Sequence, residues 1–335
     1  MLDFVSRFHL PAHSISHTRV AVYVAALTLA SACRRSPSEI AELGKRDEPP
    51  AAQRTVATLA LVPLDAAMVI SLDLDSLRGQ TAWTTLLSAL TKDTKPFLDG
   101  FAAGTGIDLT RQLHRVTIAL PAERQGDDRL ALIADVDMPD KARVTAWLRA
   151  RLGENAAVSV RDHHPIVISQ GAWKKSLSSL SGADKLAASA ADNPELRRLC
   201  ARAAPDHGLW FAAVVPAAVR RNLMKDERFS DVASITRVWG SVDLASGLAG
   251  GARAEWVAEL SSTADAAELA RRLGVYLNQA KRHPDMLVRG LAPYLEAMHL
   301  AAHDARVQAT LDLSNPQLAE CIERIEALAH ATWTK

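Results

Sequence analysis

A chain of 335 residues, 48 % hydrophobic and 23 % charged, has the composition of a folded body and not of a disordered one, with length for two ordinary domains. Its formal net charge of +1 argues against nucleic acid, whose binders need clustered Lys and Arg, and gives no polybasic patch for an anionic membrane.

The chain opens with a leader whose apolar run, Val20 to Ala32, follows Arg19 and ends on Cys33. At about 1.5 Å per helical residue the run reaches roughly 20 Å, short of the ~30 Å hydrocarbon core of a bilayer. A charged start, a short apolar stretch and a small-residue exit make a secretory signal. Its exit, Leu29-Ala30-Ser31-Ala32-Cys33, resembles a bacterial lipobox, which implies cleavage after residue 32 and acylation of Cys33. An ordinary secreted protein and an uncut anchor are the competing readings. Without residues 1–32 the basic and acidic groups are equal in number. Residues 33–55, polar and closed by Pro49-Pro50, read as the lipidated cysteine and a linker.

From there strand-like and helix-like text alternates. The first unit, 56–182, predicts a strand at Ala67–Leu74, helices at Thr81–Leu90 and Lys95–Ala103, strands at Arg115–Leu120 and Leu130–Asp137, and a helix Asp140–Leu152 capped by Asp140. A hairpin follows at Ala157–Val160 and Pro165–Ser169. The connector 183–207 carries a helix from Asp184 to Ala203. The second unit, 208–335, predicts strands Leu209–Val215, Arg237–Asp243 and Ala252–Leu260, helices Ala217–Met224, Ala264–Gln279 and Asp285–His299, the strand Arg306–Leu313, and a last helix opened by Pro316. Leu113-His114-Arg115-Val116 aligns with Ile235-Thr236-Arg237-Val238 at the same point of the order. The expected fold is therefore α+β: a tandem duplication of strand–helix–strand–strand–helix–strand units, with antiparallel sheets and helices on one face.

The strand Leu72-Asp73-Leu74-Asp75-Ser76-Leu77-Arg78-Gly79 with Trp83 beyond it, the text Gly104 to Leu120, and Asn193-Pro194-Glu195-Leu196 before Gly208-Leu209-Trp210 together resemble a loose group of uncharacterised bacterial lipoproteins. The resemblance covers most of residues 60–315. It implies a compartment and a fold, and no reaction.

Candidate chemistry is sparse. Asp73 and Asp75 alternate with leucines and read as a solvated strand end. Asp162-His163-His164 before Pro165 has metal-ligand types, but a closed site needs further ligands from elsewhere, so a hairpin turn is the plainer reading. His299 and His303 would share a helical face without the glutamate of a zinc protease. Gly104-Thr105-Gly106 and Gly247 with Gly250-Gly251 lack phosphate-loop spacing and read as a helix stop and a turn. Cys200 and Cys321 read as buried thiols in preference to a disulfide. The stripe Met286, Leu287, Leu291, Tyr294, Leu295 and Met298 is read as core, with an apolar groove as its rival. No GxSxG, SxxK or CxxC occurs, although a triad assembled from distant positions would leave no such mark. No catalytic residue, cofactor or metal is assigned.

The expectation is an envelope lipoprotein anchored through Cys33, in the outer membrane because Arg34 and not Asp follows the cysteine, with its body facing the periplasm. Its expected role is non-catalytic, binding an envelope protein or supporting assembly. A hydrolase with a dispersed site and a carrier of an apolar ligand are the alternatives.

Overall fold

The computed structural model describes residues 51–78, 95–121, 129–137, 140–160, 165–178, 186–203, 208–225, 232–244, 251–284, 286, 290–321 and 324. The leader with Cys33, the expected helix Thr81–Leu90 with Trp83, the Asp162-His163-His164 cluster, Leu287, Gly247 and Gly250, and the last helix beyond residue 324 lie outside them.

The chain enters through α1 (Ala51–Leu59), which begins inside the expected linker. Then come β1 (Ala66–Asp73), α2 (Leu74–Arg78), α3 (residues 95–105), α4 (Leu109–Gln112), β2 (Leu113–Pro121) and β3 (Leu130–Val136). The first half closes with α5 (Lys141–Leu152), β4 (Ala156–Ser159), β5 (Ile166–Gln170) and α6 (Lys174–Ser178). The connector helix α7 (Pro194–Ala203) leads to β6 (Leu209–Val214), α8 (Ala217–Met224), β7 (Ile235–Leu244) and β8 (Ala252–Leu260). Last are α9 (Thr263–Arg282), α10 (Ala292–Glu296), β9 (Met298–His303), β10 (Arg306–Leu313) and α11 (residues 315–321).

Local chemistry sets the helix starts. Asp140 accepts a hydrogen bond from the Arg143 N–H at 3.0 Å, and Ser262 accepts from Asp265 N–H at 3.1 Å, so α5 and α9 each open on a polar cap. Asn193 accepts from both Glu195 and Leu196 N–H, and Pro194 lacks the donor that a first helical turn leaves unpaired. The α-helix of the connector thus starts at Pro194, and the described residues 186–193 ahead of it are not part of it. Gly106, at φ +79°, ends α3, whereas Gly104 lies inside that helix because a Cβ there would fall 2.0 Å from the Trp147 ring.

The ten strands among the described residues form one antiparallel sheet, in the order β4-β5-β3-β2-β1-β6-β7-β8-β10-β9. Two separate sheets were expected. They fuse because β1 and β6, the first strand of each half, pair antiparallel at the centre. From that seam outward both halves run first strand, second, third, fifth, fourth. Ile70 lies opposite Phe211 at the seam, and each is placed alike in its own half: Ile70 opposes Ile118, and Phe211 opposes Gly240. Both halves also carry an irregularity at the same place, between Leu113 and Arg115 in β2 and between Ile235 and Arg237 in β7. Beyond it, Asp137 N–H donates to Gln112 O at 2.9 Å and Ser261 N–H donates to Ser234 O at 3.1 Å.

Successive strand residues point to opposite faces, so the sheet has two cores. On one face Val69, Ala119, Ile133, Val167, Ala212 and Trp239 pack beneath α1 and α7, with Leu59, Leu196, Leu199 and Cys200. On the other, Leu209, Val242, Ala254 and Leu311 pack with α2, α10 and α11, while α3 and α5 cover the first half and α9 the second. Helices on one face only were expected. The central strands are apolar on both sides, and α7 repeats its buried residues at Leu196, Leu199, Cys200 and Ala203, so both faces are roofed. Cys200 and Cys321 fall in the two different cores and are free thiols, so no bridge joins them.

Candidate functional site

Expected site residues scatter. Asp73 ends β1 and Asp75 stands inside α2, so they share no strand face. Asp73 meets Arg115 at 2.7 Å and its Oδ1 accepts from Ser76 N–H. His299 and His303 are on β9, the edge strand, opposite Thr310 and Arg306, and not on a helix. Helix α10 stops at Glu296, and the chain turns back between His303 and Arg306 through Asp304-Ala305, with Asp304 at φ +52°. An Asp in a two-residue hairpin loop tolerates that left-handed backbone, and such a short turn is what sets the hairpin. Leu291 and Met298 pack against the core around the buried Tyr294, and Gly251 sits tight against the Leu313 carbonyl, where a Cβ would come within 1.9 Å.

The first polar constellation that does assemble is centred on His114, the extra residue in the β2 irregularity. Its Nδ1 is 2.8 Å from Asp75 Oδ2 and its Nε2 2.9 Å from Asp137 Oδ2. Arg78 holds Asp75 from the far side and also donates to the carbonyls of Leu113 and Thr110. Burial works against the imidazolium, yet the hydrogen bonds and charges of Asp137 and Asp75 outweigh it, and the pKa is raised above the ordinary 6.5. A ring with both nitrogens against carboxylates favours the imidazolium over the neutral base.

The second constellation lies on the α7 side of β7, β8, β10 and β9. Arg237 reaches Glu195 at 2.5 Å and Glu259 at 2.8 Å. Arg202 and Arg306 each approach Glu259 at 3.9 Å, and their guanidinium groups stand 5.7 and 5.8 Å from the Trp239 ring centre. Cation–π contact thus clamps the indole. Beyond this cluster the same face carries Glu255, Gln308, Thr310, Arg253 and Asp312, all part-exposed or exposed, with Gln308 donating to Glu255 at 2.9 Å. The first-half positions that match Glu255, Gln308 and Thr310 are Ala131, Val167 and Ser169, which are buried beside Trp173 and Leu177. One half of this face is therefore dry and roofed, the other wet and mixed in charge.

Sequence reading missed both constellations, since their members come from separate elements. The one available signal was the shared arginine of Leu113–Val116 and Ile235–Val238, which marks both irregularities. The thiols are inert: burial pushes Cys200 up to about 12 and Cys321 up to about 11. Among the described residues no helix is long and apolar enough to cross a membrane, and no group of three or more His, Cys, Asp or Glu could hold a metal.

No protein-family model matches the chain, and no curated protein matches it in sequence. Among solved structures, the chain is similar to one described as crystal form I of TP0453, at 11 % identity and a TM-score of 0.39, over 84 % of this chain and 100 % of that one. A likeness that distant carries no argument.

Proposed function

We propose that this protein is a lipoprotein of the bacterial outer membrane, cleaved after residue 32, acylated on Cys33, and non-catalytic, with its body binding an envelope protein in the periplasm. The lipobox-like exit at Leu29–Cys33 supports the anchor. Residues 34–50, at about 3.4 Å each when extended, allow a reach of roughly 58 Å from the membrane to α1. The body we read as a tandem duplication. Its supports are the repeated strand order, the matched irregularities at His114 and Thr236, and the seam where Ile70 meets its counterpart Phe211.

The observation that carries the binding role is the part-exposed face at Glu255, Gln308 and Thr310, beyond the buried Trp239. The first half roofs its version of that face with Trp173 and Leu177, while the second half leaves Gln308, Thr310 and Glu255 part-exposed among balanced charges. Mixed charge with flanking arginines suits a folded protein surface better than a nucleic acid or an apolar ligand.

Two measurements test it in a bacterial host. Wild type should carry a diacyl-sized mass and partition into detergent, and Cys33→Ser should do neither. A photo-crosslinker at Gln308 should give one discrete adduct that excess purified wild-type protein competes away and Arg306→Glu protein does not. An unlipidated wild type removes the anchor; an adduct that Arg306→Glu competes equally well removes the binding face.

A further inference from the structure

The sheet has two edges, and they are guarded unequally. Strand β4, at one of them, is four residues long and has α5 and α6 packed on it. Strand β9, at the other, is six residues long and pairs with β10 without a shift of register. Among the described strands it has no second neighbour. Its sequence, Met-His-Leu-Ala-Ala-His, holds no Lys, Arg, Asp, Glu, Pro or Gly. Charges, prolines, bulges and short length are the means by which folded proteins keep an edge from pairing. We propose that β9 is an interface, on which a second copy of this chain adds its own β9 antiparallel and continues the sheet.

The strand is complementary to itself. Antiparallel pairs across a two-fold axis perpendicular to the sheet share a face, so the axis passes through a residue and not between two. With the axis at Ala301, that alanine meets its own copy, Leu300 meets Ala302, and His299 meets His303. The one long aliphatic side chain thus has a small neighbour, and no pair sets a fixed charge against its like.

Helix α9 fits the same axis. It lies over β9 and β10, so the second copy of α9 comes beside it on the same face. With strands about 4.8 Å apart, helices centred over their β9–β10 pairs stand roughly 10 Å from each other, the distance of packed helices. The axis makes the two helices antiparallel, and the charge of α9 is divided accordingly. Residues 263–270 carry Asp265 and Glu268 with no base, whereas residues 271–282 carry Arg271, Arg272, Lys281 and Arg282 with no acid. Each acidic half therefore lies along a basic half. Alone, the helix is thinly packed: only Ala266 and Leu269 are buried, and Val275 and Tyr276 stay 43 % and 57 % exposed. Gly274 weakens its middle, yet a Cβ there would meet nothing within 4 Å among the described residues. A second helix close by gives that glycine a use.

The test is made on the full chain in a bacterial host and after extraction in mild detergent. Light scattering should give a protein mass twice that of one chain. Ala301→Cys should form a disulfide-linked dimer on mild oxidation, since directly opposed residues stand within disulfide reach. His303→Cys should not, because at about 3.4 Å per residue its copy lies about 14 Å away. Ala302→Lys, at an exposed position, should weaken association by about tenfold or more while leaving the tryptophan fluorescence unchanged. A mass of one chain overturns the edge pairing. So does an Ala301→Cys chain that links no better than His303→Cys, or an Ala302→Lys chain that associates as the wild type does.

Discussion

At Gly240 the two halves differ sharply in volume, and its replacement by alanine tests the packing of the seam. In the first half Ile70 faces Ile118; in the second the larger Phe211 faces a glycine. A Cβ at residue 240 would lie 2.8 Å from Phe211 Cε1 and 2.4 Å from the Glu255 carbonyl oxygen. The ring edge can swing aside. The carbonyl belongs to the β7–β8 ladder and would have to retreat by about 1 Å to reach ordinary contact. Overpacking of that kind costs about 1–3 kcal/mol, and the better strand entropy of alanine returns roughly 0.5–1 kcal/mol, so Gly240→Ala should cost about 1–2 kcal/mol. Phe211→Ile removes the ring obstacle but not the carbonyl. The pair Phe211→Ile and Gly240→Ala should therefore be less destabilised than the sum of its parts, by about 0.5 kcal/mol or more. Urea unfolding followed by tryptophan fluorescence measures all four corners of the cycle. A neutral Gly240→Ala, or strict additivity, refutes the argument that Phe211 and Gly240 are complementary volumes.

Truncating Leu196, fully buried between α7 and the sheet, should cost about 2–5 kcal/mol in the same assay; a cost below 1 kcal/mol would mean that α7 does not roof this face. Cys200 and Cys321, deprotonating only at about 12 and about 11, should resist a thiol reagent at neutral pH until denaturant is added, and rapid labelling of either native thiol contradicts its burial. Glu259→Gln should cost about 1 kcal/mol, less at high salt, because Arg237, Arg202 and Arg306 all lean on that carboxylate at partly exposed sites; salt-independent loss would point to packing instead. His114 binds its proton more tightly folded than unfolded, so its contribution to stability is whole below the ordinary pKa and is lost as pH rises through the raised one. His114→Gln should flatten that limb of the pH–stability curve, and an unchanged limb assigns it to another group.

Most single elements were legible in the chain. The bounds of Ala217–Met224, Ala252–Leu260 and Arg306–Leu313 follow from period and punctuation, and Asp140 announces its own helix. What period could not supply is partnership. Nothing local in Ala-Met-Val-Ile-Ser-Leu says that it pairs with residues some 140 positions later, so one sheet was read as two. Strand β9 was lost for a different reason: Met298, Leu300 and Ala302 alternate as a strand should, but they continue the apolar spacing of Leu291 and Leu295, and the turn beyond them is Asp-Ala and not Asn-Gly.

The polar clusters escaped because each depends on an irregularity that only pairing reveals. His114 stands 39 residues from Asp75, and without the extra residue in β2 it would take its turn as one more alternating strand position. The second half has the same irregularity with Thr236 in it, whose hydroxyl donates to the Glu259 carbonyl. One backbone feature, present twice, thus holds a titratable clamp in one half and an uncharged hydroxyl in the other. The neighbouring face differs between the halves as well: in the first it is closed under Trp173, and in the second it is left part-exposed at Glu255, Gln308 and Thr310, beyond the buried Trp239 and its two arginines. A half that served stability alone would gain by being roofed like the other, since the open half forgoes the burial that Val167 and Ala131 obtain. That forgone burial is the physical reason to look for a partner on the second half.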